Sequence, residues 1–161
     1  MGNMTVHFSS GSDEWETPDD LFDLLSDEFA FTLDACASDE NHKVDRYYTK
    51  QDDALSRAWT GVVWMNPPYG REIGKWAEHA YKCSVTDRAI VVCLVPARTD
   101  TVWWHTWVAK ALEVRLLKGR IKFKRDGDKV SSAPFPSAIV VFCGDLAGTA
   151  RYTLWDWQKD E

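Results

Sequence analysis

The residues of this sequence whose types and spacing could do chemistry are Asn66-Pro67-Pro68-Tyr69. They follow an apolar run from Gly61 to Met65 that is typical of a buried strand, and two successive prolines predict that the strand stops there. Prolines donate no backbone hydrogen bond, so their carbonyls remain free as acceptors, and Asn66 adds a side-chain carbonyl beside them. Tyr69 adds an aromatic face. These groups predict a rigid pocket of acceptors that suits a planar group carrying an amine.

The tetrapeptide resembles the catalytic motif of amino-methyltransferases that use S-adenosylmethionine, written Asn/Asp/Ser-Pro-Pro-Tyr/Phe/Trp. The exocyclic amine of adenine is a poor nucleophile, because its lone pair is delocalised into the ring. The resemblance implies that the Asn66 oxygen and the Pro67 carbonyl hold both amine hydrogens, which frees the lone pair to attack the sulfonium methyl. Pro68 belongs to the same catalytic set, and Tyr69 would stack on a base flipped out of the duplex. The four residues alone equally allow a strand that ends in a proline turn.

Length and composition bound the class of protein. At 161 residues, with 45% hydrophobic residues and nine tryptophans, the chain predicts one ordered globular domain. It has no apolar run of 18 residues and no basic-then-apolar start, so we expect a cytoplasmic protein without a membrane span. Its cysteines, Cys36, Cys83, Cys93 and Cys143, form no CxxC pair. That spacing favours reduced thiols and no metal site.

Charge is distributed unevenly along the chain. The formal net charge of −6 argues mildly against nucleic acid as a partner. Residues 1–53 carry 14 acidic and three basic residues, whereas residues 110–130 carry eight basic and three acidic residues. Only the later segment could form a phosphate-facing surface, and a solvated charged hairpin is the alternative. The candidate DNA contacts in this ribbon are Arg120, Lys122, Lys124 and Arg125, with Lys129 beside them.

The segment from Trp15 to Phe29 predicts a well-capped helix. Thr17 suits the N-cap, Pro18 suits the first helical position, and the two aspartates that follow suit the positive end of the helix dipole. The expected buried stripe consists of Leu21, Phe22, Leu24, Leu25 and Phe29. The pattern Trp15-x-Thr17-Pro18 also resembles a cofactor-contacting element that precedes the nucleotide-binding strand in one order class of adenine methyltransferases.

A predicted strand over Phe29–Asp34 ends on an acid, and the small residues Ala35 to Ser38 follow it. Open α/β sheets bind ligands at such places, because small residues let a cofactor approach the backbone. The segment resembles a variant of the methyltransferase motif Asp-x-Phe-x-Gly that lacks the glycine. This implies Asp34, Ala35 and Cys36 as cofactor contacts. No GxGxxG is present, so a nicotinamide cofactor is not supported.

Residues 39–60 are predicted to hold abbreviated elements. Val44–Thr49 is a candidate second strand, and Asp39 and Asn41 are candidate ribose contacts. Asp53 and the Ala-Leu pair after it resemble the acidic contact that these methyltransferases make to the adenine amine of the cofactor. The alternative is that Asp53 belongs to an N-cap pair before a short helix over Leu55–Trp59.

The rest of the chain predicts further helices and strands. These elements are helices over Gly70–Ser84 and Thr101–Lys110 and strands over Ala89–Val95, Glu113–Phe123 and Ser137–Phe142. The last two strands are expected to form an antiparallel pair at one edge of the sheet. Gly70-Arg71 is a candidate mobile loop over the target base. Arg98 ends its strand on the same edge as Asn66, if the strands are parallel, where it could meet a DNA phosphate or equally pair with a nearby acid. Both arginines are candidate DNA contacts.

Taken in order, these motifs resemble the small phage-type DNA N6-adenine methyltransferase family over residues 13–143. The resemblance rests on the Thr-Pro element, the Asp34 loop, the tetrapeptide, Pro96-Ala97-Arg98, Gly119-Arg-Ile-Lys-Phe and Ala133-Pro-Phe-Pro-Ser. It implies a Rossmann-like class I methyltransferase fold, with a mostly parallel sheet, an antiparallel C-terminal strand pair and helices on both faces. It also implies S-adenosylmethionine as methyl donor and a flipped-out adenine in DNA as acceptor.

Residues 1–12 are expected to be a flexible N-terminus and residues 144–161 a tail, on either side of a single domain over 13–143. The aromatic residues of that tail, Tyr152, Trp155 and Trp157, suggest docking or self-association. Three alternative functions stay open, because the tetrapeptide also serves N4-cytosine methylation and protein glutamine methylation, and because a catalytically silent DNA-binding module could retain it.

Overall fold

A six-stranded mixed sheet forms the centre of this computed structural model, which describes residues 15–125, 129–146 and 148–159. The predicted flexible N-terminus, residues 1–12, lies outside the described residues. The strands are β1 (Leu33–Asp34), β2 (Val62–Met65), β3 (Ile90–Pro96), β4 (Glu113–Leu117), β5 (Lys122–Arg125), β6 (Lys129–Ser132), β7 (Ser137–Cys143) and β8 (Arg151–Trp155). Their order in the large sheet is β1-β2-β3-β7-β4-β8, and β5 and β6 form a separate two-stranded sheet.

Three helices pack on the large sheet: α1 (Asp19–Phe29), α2 (Ile73–Thr86) and α3 (Val102–Thr106). Short 3-10 turns lie at Lys50–Asp52, Ala54–Ser56, Val108–Lys110, Gly144–Leu146 and Trp157–Lys159. Phe22 of α1 packs edge-on against Trp64, whereas Tyr81 of α2 packs against Phe142. In register, Trp64 is level with Val92 and Val141, so Phe142 projects from the opposite face. The helices therefore cover both faces, as predicted.

The parallel strands β1, β2 and β3 create the edge that matters for function. Their residues form nearly continuous apolar runs, as expected of strands that are covered on both faces. Because the three strands are parallel, their carboxyl ends meet at one edge of the sheet. Asp34, Asn66 and Ala97 therefore share what we call the carboxyl edge.

The start of α1 differs from the prediction. Pro18, not Thr17, is the N-cap, and its ψ of 142° is extended. The predicted stripe is confirmed at Leu21, Phe22 and Leu25, which are buried, whereas Leu24 and Phe29 are only partly buried against the core. The Thr17 hydroxyl is turned towards the tetrapeptide.

Two predicted strands are shorter than expected. The strand over Phe29–Asp34 is reduced to two residues, because α1 runs through Phe29 and Ala30 then turns with φ of 54°. Val44–Thr49 is not a strand: it makes one isolated parallel bridge, between Asp34 and Tyr47. The chain curves away after that bridge to line a cavity, so no ladder continues.

The antiparallel pairing of β4 with β7 is confirmed, but its predicted place at a sheet edge is wrong. β7 inserts between β3 and β4, and β8 adds a parallel strand outside β4. Gly119, with φ of 76°, breaks the predicted strand over 113–123 into β4 and β5. The chain then leaves the large sheet as the β5–β6 hairpin and returns at Ser137.

The segment predicted as a tail contributes β8 and a buried Trp157. Trp155 packs against the core, whereas Tyr152 and Leu154 are 48% and 88% exposed. Self-association through this segment stays a prediction. Within the described ranges, no helix has the length and apolar character needed to cross a membrane.

Candidate active site

Asn66 stands one residue beyond β2, and both ends of its carboxamide are engaged. Its Nδ2 donates to the Trp15 carbonyl and, over 3.0 Å, to Thr17 Oγ1. Its Oδ1 accepts a hydrogen bond of 2.8 Å from the Tyr69 hydroxyl, which also lies 2.9 Å from the carbonyl oxygen of Leu94. These contacts fix the amide so that Nδ2 faces Thr17 and Oδ1 faces Tyr69.

Tyr69 is only 5% exposed and belongs to an aromatic cluster. Its ring packs edge-on against Phe123 and Phe135, with centroids 6.1 and 5.5 Å away. Trp15 completes the cluster, 5.4 Å from Phe123 and 5.3 Å from Phe135. The Tyr69 ring, which was predicted to stack on a base, is therefore buried beside Phe123 and Phe135 in this structure.

A cavity of about 810 Å³ opens beside the tetrapeptide. This volume lies in the range of small-molecule and cofactor sites. Its walls include every predicted cofactor contact except Pro18: Trp15, Thr17, Asp34, Ala35, Cys36, Asp53 and Asn66. Pro67, Pro68 and both ribose candidates, Asp39 and Asn41, line it as well. The structure thus brings together residues from four separate segments of the chain.

Asp34 lies at the floor of this cavity and is 2% exposed. Its Oδ1 accepts the Cys36 amide over 3.2 Å, and its Oδ2 accepts the Lys43 amide over 3.0 Å. Burial raises the pKa of the Asp34 carboxyl, and the two amide hydrogen bonds offset part of that effect. The carboxylate therefore shapes the loop from 36 to 43 and still has lone pairs to offer a ligand.

The loop beyond Asp34 is held by its own polar contacts. Asn41 Oδ1 accepts the Ser38 amide over 2.7 Å, and Asp39 Oδ1 accepts the Tyr47 hydroxyl over 2.6 Å. On the facing wall, Asp53 is exposed and adopts φ of 50° between two 3-10 turns. It is the N-cap residue of the second turn, Ala54–Ser56, without a side-chain cap hydrogen bond. The predicted short helix over Leu55–Trp59 is therefore wrong, because the chain makes only this single 3-10 turn between Asp53 and Trp59.

The hairpin reaches this site through the N-terminal segment. Glu16 and Lys124 form an isolated antiparallel bridge, with reciprocal amide-to-carbonyl hydrogen bonds of 3.2 and 3.3 Å. Lys124 Nζ also lies 3.5 Å from Asp19 Oδ2, and Lys124 lines the cavity. The strand pair that carries the basic ribbon therefore adjoins the residues that hold Asn66.

The predicted cations take different positions. Arg71, Arg98, Arg120 and Lys122 are exposed. The Arg98 guanidinium lies 5.8 Å from the Phe135 ring centre, which places it above the aromatic cluster. Lys124 is partly buried, and the side chain of Arg125 lies outside the described part of the structure.

Sequence reasoning missed Lys43 and Phe135. The Lys43 side chain is 12% exposed and pairs with Asp19 over 2.6 Å and with Glu16 over 3.8 Å, at the rim of the cavity. As one of only three basic residues in the acidic stretch 1–53, it could have been singled out by charge. Phe135 stands between two prolines, a pattern that marks a constrained turn but not its partner. No group of three metal-ligating side chains occurs within the described residues.

An open cavity at the carboxyl edge of parallel strands defines an α/β protein with a ligand site in the usual place for such sheets. Comparison with known proteins narrows the class. A family described as DNA N-6-adenine-methyltransferase (Dam) matches residues 5–154. The DNA N-6-adenine-methyltransferase of Haemophilus phage HP1 (strain HP1c1) is 32% identical over 139 residues, covering 83% of this chain and 80% of the relative. This chain therefore belongs to the DNA N-6-adenine-methyltransferase (Dam) family.

Two further relatives also carry methyltransferase names. The DNA N-6-adenine-methyltransferase of Escherichia phage T1 is 28% identical over 123 residues, which cover 73% of this chain and 50% of the relative. The putative methyltransferase YfdM of Escherichia coli (strain K12) is 37% identical over 65 residues, covering 35% of this chain and 71% of the relative.

Proposed function

We propose that this chain transfers a methyl group from S-adenosylmethionine to the N6 amine of adenine in DNA, on a Rossmann-like class I methyltransferase sheet. The observation that carries the proposal is the position of the tetrapeptide at the end of β2, where Asn66, Pro67 and Pro68 form part of the wall of the 810 Å³ cavity. Membership of the family supports the same reaction, since two of its relatives are named DNA N-6-adenine-methyltransferases.

The cavity suits a nucleoside that carries an amino-acid arm. It combines a buried carboxylate at Asp34, small residues at Ala35 and Ala37, and polar groups at Asp39 and Asp53 around its wall. Asp34 and the loop after it would hold one part of the cofactor, and Asp53 would accept a hydrogen bond from its adenine amine. When bound, S-adenosylmethionine supplies an electrophilic methyl group on a sulfonium.

Asn66 and Pro67 would position the target amine. The Asn66 oxygen accepts one bond from Tyr69, and its second lone pair is available to an amine hydrogen. The Pro67 carbonyl would accept the other hydrogen, so the nitrogen lone pair is directed along a fixed line. As the new N–C bond forms, the bond from the methyl carbon to the sulfonium sulfur would break with its electron pair left on sulfur, and the amine would release one hydrogen to solvent as a proton. The contribution of the chain is orientation and electrostatics, without a covalent intermediate.

DNA would approach the carboxyl edge. Arg71 and Arg98 lie at that edge, and Arg120 and Lys122 extend the exposed positive surface onto the hairpin. Such cations suit phosphates, which fix register without reading sequence. A cytoplasmic location in the host cell is consistent with this substrate and stays a prediction.

The product of the reaction tests the proposal directly. The protein is incubated with methyl-labelled S-adenosylmethionine and unmethylated DNA, and the DNA is digested to nucleosides for mass spectrometry. We expect N6-methyl-2′-deoxyadenosine. N4-methylcytosine would change the target base, and unlabelled DNA despite calorimetric cofactor binding would favour a protein acceptor or a catalytically silent binding module.

Substitution of Asn66 tests the assignment of the site. Asn66→Ala removes the acceptor for the target amine, so we expect turnover to fall at least about a hundredfold, while calorimetry shows cofactor affinity changed only a few-fold. Asn66→Asp is the matched control, because it keeps an oxygen acceptor at the same place and should retain more turnover than the alanine variant. Turnover that survives Asn66→Ala would place the active site elsewhere.

A further inference from the structure

Ser137 carries a hydroxyl that has no hydrogen-bond partner, although the residue is 1% exposed. Within the described residues it is the one buried side-chain oxygen or nitrogen in that condition. A buried hydroxyl without a partner destabilises a folded protein, so native structures rarely leave one without a reason. A ligand that supplies the missing partner is such a reason.

The register of the sheet places Ser137 close to the tetrapeptide. Ser137 pairs with Pro96, two residues along β3 from Leu94, whose carbonyl oxygen lies 2.9 Å from the Tyr69 hydroxyl. Two residues of strand and one interstrand spacing put Ser137 about 8 Å from Leu94.

Ser137 also projects from the correct face of the sheet. It shares a face with Ile139, which pairs with Arg115, and the Arg115 guanidinium contacts Glu28 of α1. Asn66 reaches Trp15 and Thr17 on that same α1 side. The amide and the hydroxyl therefore project from the same side of the carboxyl edge.

The segment before Ser137 closes this region. Phe135 packs against Tyr69 and Trp15, and it lies between Pro134 and Pro136, which are exposed and donate no backbone hydrogen bonds. Backbone hydrogen bonds from Ala133 to Ile121 and from Ala97 to Pro136, together with the packing of Phe135, hold the segment in place. Displacement of the Phe135 ring would uncover Tyr69, and Ser137 follows two residues later in the chain.

We infer that Ser137 is a specificity-determining residue that donates its hydroxyl hydrogen to a ring nitrogen of the target base, in a slot that Phe135 fills in the free protein. The inference rests on the proposed function, because it assumes that a base is held at Asn66. A hydroxyl matches a purine ring nitrogen, which is an acceptor, and leaves the exocyclic amine to Asn66 and Pro67.

The test replaces one ring nitrogen at a time. The substrate is an oligonucleotide whose methylated adenine has been mapped, and 1-deazaadenine, 3-deazaadenine or 7-deazaadenine is placed at that position. For the wild-type protein we expect one analogue to lower kcat/KM about tenfold, the effect of about 1.4 kcal/mol. Ser137→Ala should lower kcat/KM for adenine about tenfold and should no longer distinguish adenine from that analogue.

The melting temperature, Tm, gives a second readout, because Ser137→Ala should lower it only if the hydroxyl stabilises the fold. Ser137→Ala loses no hydrogen bond of the free protein, so its Tm should equal or exceed that of the wild type. The matched control is Ser84→Ala on α2, a buried serine whose hydroxyl donates to the Tyr81 carbonyl over 2.7 Å. It should lower Tm and leave the discrimination unchanged.

The outcomes distinguish a failure of the role assigned to Ser137 from a failure of the proposed function. Discrimination that persists in Ser137→Ala, or a Tm that falls as far as in Ser84→Ala, overturns the role of Ser137 while adenine methylation stands. A wild-type protein that methylates no adenine overturns the proposed function itself.

Discussion

Two opposing effects act on the carboxylate of Asp34. Burial disfavours its charged form, two backbone amides favour it, and the balance raises its pKa above the ordinary 3.8. The native state therefore holds this proton to a higher pH than the unfolded chain does. As pH rises from 3.8 through the raised pKa, the contribution of Asp34 to the free energy of unfolding must fall, and above that pKa it is constant.

Denaturant unfolding across pH 3 to 7 of the wild type and Asp34→Asn would measure this effect. We expect the wild-type free energy of unfolding, relative to the variant, to fall with rising pH. Asp52→Asn is the control of opposite sign, because hydrogen bonds from Thr49 lower the pKa of Asp52. Relative to Asp52→Asn, the free energy of unfolding of the wild type should increase as pH rises towards 3.8. Parallel profiles for the wild type and Asp34→Asn would contradict the assigned effect of burial.

At the residue scale, the sequence located the tetrapeptide and the acid but not their contacts. Local chemistry sufficed to predict that Asn66 follows a buried strand and that Asp34 ends one. The burial of Tyr69 could not be predicted, because Phe123 and Phe135 lie more than fifty positions further along the chain. The hydrogen bond between Thr17 and Asn66 was missed for the same reason, because the two residues are far apart in the sequence. Local propensity alone predicts that a Thr-Pro pair before a helix caps that helix.

At the scale of elements, the β5–β6 hairpin is the part of the chain most suited to test DNA contact. Arg120 and Lys122 are exposed and do not line the cavity, whereas Lys124 lines it and bridges to Glu16. Reversing Arg120 and Lys122 to glutamate, with Lys124 left intact, should weaken DNA binding. The slope of log affinity against log salt should become less steep by up to about two, while cofactor affinity stays unchanged.

The control reverses two cations at the opposite edge. Arg88 and Lys110 precede β3 and β4, which run in the same direction, so both residues lie at the amino ends of the strands. Both are exposed. The double variant Arg88→Glu/Lys110→Glu changes net charge by the same amount and should alter DNA affinity much less. Equal losses of DNA affinity in the two double variants would mean that net charge alone explains the effect. Unchanged DNA affinity in the hairpin variant would exclude the hairpin as a DNA contact.

Helices and strands with a clear hydrophobic pattern in the sequence were predicted well, whereas elements defined by tertiary contacts were not. The apolar run of β3 and the amphipathic pattern of α2 are visible in the sequence, and both elements form. β7 was predicted as a strand, but its insertion between β3 and β4 depends on pairing between distant segments. Residues 44–49 have the composition of a strand, yet only one bridge forms there, because the chain is diverted around the cavity.

At the scale of the whole molecule, the first helix and the last strands are joined through Arg115. Its guanidinium donates to both carboxylate oxygens of Glu28 in α1, over 2.5 and 2.7 Å, and to Glu113 over 2.7 Å. It also lies 5.6 Å from the Phe29 ring centre and 5.2 Å from that of Trp155 in β8. One side chain therefore connects the acidic N-terminal region to β4 and to the edge strand.

This geometry predicts that Arg115 stabilises the fold without taking part in the chemistry. Arg115→Ala should lower the free energy of unfolding by about 2 kcal/mol, because the paired side chain is only 13% exposed and two carboxylates lose their partner. Arg115→Lys keeps the charge but loses the paired geometry, so its loss should be intermediate. The matched control is Lys82→Ala, which breaks an exposed pair with Glu78 on α2 and should cost at most about 0.5 kcal/mol. Urea unfolding measures all three variants, and kcat below the melting range should equal that of the wild type. If Arg115→Ala is no more destabilising than Lys82→Ala, the connection between α1 and the C-terminal strands does not depend on this residue.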